Sequence, residues 1–146
     1  MSTIVVGLDA SPLAAQVLGS AIALAKDLRA RLVLVHTFPR HFVPADVSPA
    51  TAQRLEELEA STDAHEAVDL SVVWAAQARR EGLDVVTETA RGHPGDALLA
   101  AGVAHNAALL VVGRRSIGTF RRTLMGSFSS YVVRKADRPV LVVPLP

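Results

Sequence analysis

The sequence predicts an α/β fold built on a five-stranded parallel sheet with helices on both faces. Five short runs rich in Val, Ile and Leu alternate with longer stretches of helical periodicity, in the order βαβαβαβαβ. The second, fourth and fifth runs are continuous or nearly continuous in Val and Leu, as suits strands covered on both faces. Parallel strands joined through helices take right-handed crossovers. A chain of 146 residues then fits one domain, 1–146, with little room for a second.

The first strand is read over Thr3–Leu8 (TIVVGL). Ser11 follows as a helix N-cap with Pro12 at the first helical position, and Val17, Ala21, Leu24 and Leu28 recur at helical spacing. The second strand is read over Leu32–Phe38 (LVLVHTF). The next segment, Pro39–Leu70, has three Pro in its first eleven residues, seven acidic residues and two Arg. Its first half reads as a mobile surface loop and the remainder as a solvated acidic helix. That helix opens at Ser48-Pro49, carries Leu55, Leu58, Val68 and Val72, and ends near Gly82. The third strand covers Leu83–Thr89 (LDVVTET), and Pro94 begins a helix running through Leu98 and Ala101 to Ala104. The fourth strand is Ala108–Val112 (ALLVV). The last helix spans Ser127 to Lys135, Pro139 marks its exit, and Val140–Val143 form the fifth strand.

Composition narrows the function classes. Half the residues are hydrophobic and 4% are aromatic, so the core rests on Ala, Val and Leu. The net charge of +1 gives no chain-wide case for nucleic acid or an anionic membrane as partner. With no Cys, disulfides, thiolate nucleophiles and Cys-based metal sites are excluded. The opening MSTIVVGLDASP has neither the basic region nor the apolar length of a signal peptide, so a cytoplasmic location is expected. The charge is uneven. Residues 1–112 carry 8 basic and 13 acidic side chains (8 − 13 = −5), and residues 113–146 carry 7 basic and 1 acidic (7 − 1 = +6).

This positive quarter contains the glycine- and serine-bearing loop from Gly113 to Ser127, which follows the fourth strand and runs into the last helix. In open α/β sheets ligands bind beyond the carboxyl ends of the strands. Glycines let the backbone approach a phosphate, and a helix N-terminus offers free amides at its positive end. Ser127, Ser129 and Ser130 add hydroxyls there. Asp9, after the first strand, faces the same crevice, where it either accepts from a ribose or caps the following helix. No Walker A pattern is present, and no G-x-G-x-x-G follows the first strand. His36, His41, His65, His93 and His105 lack metal-ligand spacing, so no metal site is expected. His36 reads as a partly buried, satisfied residue and His93 as a turn or cap residue. Ser127 and His36 lack the elbow and orienting group of a hydrolytic triad, so no catalytic residue is assigned. In the strand order 3-2-1-4-5 the fifth strand is an edge. Its wholly apolar run Val140, Leu141, Val142 and Val143 invites pairing with a second copy of the chain.

The runs VVGLDASP, LVLVH, ARGHPGDALL and LLVVG and the closing GSFSSYVVRKADRPVLVVP span nearly the full chain. Together they resemble the universal stress protein family. It implies a Rossmann-like sheet of the adenine nucleotide α-hydrolase type. ATP-binding members carry G-x2-G-x9-G-[ST], matched here by Gly113, Ser116 and Gly126-Ser127, with Ser116 where the second glycine stands. The resemblance implies that Gly113, Gly126, Ser127 and Ser129 hold phosphates and that Asp9 holds the ribose. It places Gly7 and Thr37 on the adenine side, with Val112 and Phe128 in backbone or apolar contact. Arg114 and Arg115 are expected to compensate for any backbone approach to phosphate that Ser116 denies. The implied protein is a cytoplasmic, homodimeric stress-response module that binds ATP with Mg²⁺ and turns it over slowly at most. The alternative is a nucleotide-independent interaction protein with a degenerate phosphate loop and a protein partner.

Overall fold

A computed structural model describes residues 1–37, 46–90, 92–114 and 126–144, without the side chains of residues 59 and 63–69. Five strands, β1 (Thr3–Leu8), β2 (Arg31–Thr37), β3 (Val85–Ala90), β4 (Leu109–Arg114) and β5 (Val140–Pro144), pair in parallel in the order β3-β2-β1-β4-β5. Four helices connect them: α1 (Ala14–Leu28), α2 (Pro49–Arg80), α3 (Pro94–Ala104) and α4 (Ser127–Lys135). Class and strand order are those the sequence predicts.

Strand alternation feeds two cores. Ile4, Val6, Leu8, Leu32 and Leu34 pack with Leu18 and Ala21 of α1 and with Trp74 and Ala78 of α2. Val5, Val33 and Val35 point to the other face, against Leu98 and Ala101 of α3 and Val132 of α4. Two covered faces are why β2, with Leu32 and Leu34 on one face and Val33 and Val35 on the other, reads as a nearly continuous apolar run.

Local chemistry sets the helix ends. The Ser48 hydroxyl accepts from the Thr51 amide at 3.2 Å with Pro49 at the first turn, so α2 opens where predicted. From Pro49 to Leu58 every residue except Ala52 is exposed, as a solvated acidic helix requires. Its described buried residues, Ser71, Trp74, Ala75 and Ala78, all lie toward the other end.

Several expectations are corrected. Helix α1 begins at Ala14 rather than Pro12, because Ser11 is drawn into a turn of its own. Strand β3 starts two residues later than read. Strand β4 continues through Gly113 and Arg114, which pair with Val143 and Pro144, so the loop begins later than its glycine suggests. His36 is fully buried rather than partly so, with its ring 5.0 Å from that of Trp74. The β5 side chains do not form one exposed stripe. Val143 is 8% exposed in the α1–α2 core, Val140 and Val142 pack on the opposite core, and Leu141 is the exposed one of the four. Arg138, one of the seven basic residues of the positive last quarter, donates to the carbonyls of Gly102 (2.7 Å) and Ala107 (3.0 Å) and pairs with Asp137. The loop expected over 39–45 and the strand end at Phe38 lie outside the described residues.

Candidate functional site

A cavity of about 460 Å³ opens beyond the carboxyl ends of β1 and β4, the central strands where the chain's crossovers diverge. Such a volume suits a small ligand of a few tens of atoms. Its floor comes from the strand ends at Gly7, Leu8, Thr37 and Gly113. A β-carbon on Gly7 would stand 3.2 Å from Leu98 Cδ2 and 3.4 Å from the Phe128 ring, so glycine lets both side chains pack close against this strand end. Thr37, 5% exposed, donates its hydroxyl to the Leu8 carbonyl at 3.4 Å and ties the ends of β1 and β2 together.

One wall is the Asp9–Leu13 turn with the start of α1. Asp9 Oδ1 accepts from the Ser11 amide at 2.9 Å, and Ser11 Oγ accepts from the Leu13 amide at 3.1 Å. These are two successive turns closed by side chains over two residues. They leave Asp9, Ser11, Leu13, Ala14 and Val17 on the cavity.

The opposite wall is Gly126 and the first turn of α4. Gly126 caps the helix without a side chain, so the first-turn amides have no partner within the helix. Ser127, Phe128 and Ser129 line the cavity beside them. Ser129 is 1% exposed and donates to the Gly126 carbonyl at 3.1 Å, so its hydroxyl braces the turn as well as lining the site. Pro94 brings the N-terminus of α3 to the same space. Three helix N-termini therefore meet one cavity, and their partial positive ends favour an anion. Among the described lining residues Asp9 is the one ionisable side chain.

Of the twelve residues expected at the site, Gly7, Asp9, Thr37, Gly113, Gly126, Ser127, Phe128 and Ser129 line the cavity. Val112 does not. It is fully buried in the core beneath α3 and α4. Arg114 ends β4 and is absent from the lining, while Arg115 and Ser116 lie outside the described residues. Sequence reasoning missed Leu8, Ser11, Leu13, Ala14, Val17 and Pro94. Ser11, Val17 and Pro94 were visible only as cap, core and helix-start signals, which carry no mark of a ligand.

A sequence profile of the universal stress protein family matches residues 1–144. The chain belongs to this family. A universal stress protein of Thermus aquaticus is 32% identical, with 97% of each chain covered. Solved structures share the fold of this universal stress protein. One from Archaeoglobus fulgidus, in complex with dAMP, matches with a TM-score of 0.68 at 22% identity and covers 98% of each chain. Another, from Arabidopsis thaliana with AMP bound, matches with a TM-score of 0.71 at 15% identity and covers 100% of this chain and 93% of that one.

Proposed function

We propose that this universal stress protein binds an adenine nucleotide in the cavity between the Asp9–Leu13 turn and the start of α4. The observation that carries the reading is the convergence there of Gly113 and Gly126-Ser127, outer parts of one spaced motif, with Asp9 on the facing wall. Relatives of the same fold hold AMP and dAMP. The apolar side chains of Leu8, Leu13, Val17 and Phe128 suit a base, and the α4 amides suit phosphates.

ATP is the proposed physiological form. Among the described residues no group of three or more His, Asp or Glu side chains forms a metal site, so Mg²⁺ would enter on the phosphates. The proposed role is regulatory and cytoplasmic, with occupancy read by a partner. No helix among the described residues is long and apolar enough to cross a membrane. Binding rather than turnover is the proposed activity, with Asp9, the one ionisable side chain among the described lining residues, assigned to the ribose. The proposed homodimer pairs the outer edge of β5, the last strand in the sheet order, with Leu141 as its apolar contact. Leu141→Lys should then shift the protein to monomer in sedimentation analysis, and an unchanged mass would rule out this edge.

Calorimetric titration of nucleotide-stripped protein with Mg-ATP, and separately with AMP, tests the function. Saturable binding of either supports the site, and stronger binding of Mg-ATP supports ATP as the ligand. Absence of binding to both would favour a nucleotide-independent interaction protein, the reading to which Ser116 at the motif's second glycine position points. Phosphate release well above that of a Gly126→Val variant would overturn the non-enzymatic reading.

A further inference from the structure

Two walls of the cavity, Pro94 and Gly126–Ser129, belong to different helices, and a side chain outside the cavity joins them. Tyr131 lies one turn beyond Ser127 on α4. Its hydroxyl donates to Asp96 Oδ1 in the first turn of α3. Its ring sits 4.3 Å from the His93 ring, centroid to centroid, at an interplanar angle of 45°. Lys135 Nζ covers the same ring at 5.1 Å. His93 in turn caps α3, its Nδ1 accepting from the Asp96 amide at 3.2 Å. Gly95 makes the approach possible: a β-carbon there would overlap the Tyr131 ring, with Cε1 at 2.8 Å.

This cluster buries little. The His93 and Asp96 side chains are 39% and 63% exposed, so it adds little to the apolar core. What it does fix is the position of one helix start against another. The hydrogen bond to Asp96, aided by burial and the carboxylate charge, raises the Tyr131 phenol above its ordinary range, and it remains a donor at neutral pH.

We infer that Tyr131 is a positioning residue for the ligand site: by clasping the first turn of α3, it sets where the α4 amides stand relative to the Pro94 wall. The inference rests on the nucleotide reading. The field and amides of a helix start act over about its first turn, so a small displacement of α4 weakens its hold on phosphate more than it disturbs a base, which meets α4 at Phe128 but otherwise rests on Leu8, Leu13 and Val17. Tyr131→Phe keeps the ring stacking and loses the bond to Asp96. Tyr131→Ala loses both.

The test is titration of wild type and variants with AMP and with adenosine, beside thermal melts. Tyr131→Ala should weaken AMP about tenfold and adenosine less than about twofold, and Tyr131→Phe should weaken AMP about threefold. Gly95→Ala should match Tyr131→Ala when alone and add nothing in the Tyr131→Ala background, because the ring it displaces is gone. An unchanged AMP-to-adenosine ratio in folded Tyr131→Phe and Tyr131→Ala overturns the role, as does a parallel loss of both ligands. Wild-type protein that takes up neither ligand overturns the nucleotide reading and this role with it.

Discussion

The two walls of the cavity are stabilised in opposite ways. The Asp9–Leu13 wall is held by its own sequence, through side-chain bonds from Asp9 to the Ser11 amide and from Ser11 to the Leu13 amide. The Gly126–Ser129 wall has a cap without a side chain and is pinned from 35 residues away by the Tyr131–Asp96 bond. A locally closed turn keeps its shape whatever its neighbours do. A helix start placed by another helix moves when that helix moves, which suits the wall that faces a ligand's charge.

The largest effect separating the walls should come from Gly126→Val. Among the described residues its β-carbon would meet Ser129 Oγ alone, at 3.9 Å, and Gly126 lines the cavity, so the substitution should act on the site more than on the fold. Nucleotide affinity should fall about tenfold or more, roughly 1.4 kcal/mol, with the melting temperature nearly unchanged. A large drop in melting temperature would show that this wall, too, is internally constrained. Asp9→Ala should act on both properties, costing about 1 kcal/mol of stability through the lost Ser11 bond and weakening the ligand severalfold. Asp9→Asn, which keeps an acceptor, should recover the stability but not all of the binding. Ser11→Ala should cost about 0.5–1 kcal/mol in denaturant melts, with a smaller effect on ligand. If it instead collapses binding, the first wall is less self-contained than its bonds imply.

The smallest effect is expected from the Lys26–Glu81 pair, 2.7 Å apart on the protein surface at the far end of α1. The bond to Lys26 holds the Glu81 carboxyl below its usual range, and the bond to Glu81 raises the Lys26 ammonium above its own. The carboxylate's contribution is present above its unfolded titration range and is lost as pH falls through the lowered folded value. The ammonium's contribution is present below its unfolded range and is lost as pH rises through the raised folded value. The pair's contribution is therefore flat from roughly pH 5 to 10. Lys26→Met should leave ligand affinity unchanged and blunt slightly the fall in melting temperature on acidification. A change in affinity would mean that the length of α1 transmits to the first wall.

Much of the architecture was legible because its causes are local or periodic. The Val/Leu runs announced a doubly covered sheet, Ser48-Pro49 announced α2, and α4 occupies the predicted residues. Errors arose where two local devices competed for one segment. Ser11-Pro12 has the form of a cap and first turn, yet Asp9 and Ser11 engage the next amides and delay α1 to Ala14. Gly113 reads as the start of a loop, but pairing with Val143 keeps it in β4. At the site, motif spacing found Gly113, Gly126 and Ser127 because backbone approach to an anion demands those residue types. It did not find Ser11, Val17 or Pro94, whose residue types serve equally well as cap, core and helix start.

The sequence by itself determined the sheet, its two covered faces, the caps of α2 and α3 and the family, since each depends on residue type at short spacing. Only the tertiary structure decided that Val143 sinks into the core while Leu141 stays exposed, and that Arg138 is committed to two carbonyls. It alone decided that Tyr131 lies across Gly95. The difference is physical: hydrogen-bonded turns and hydrophobic periodicity act over a few residues. The spacing between two helix starts is set by side chains that meet only once the sheet has brought their helices side by side.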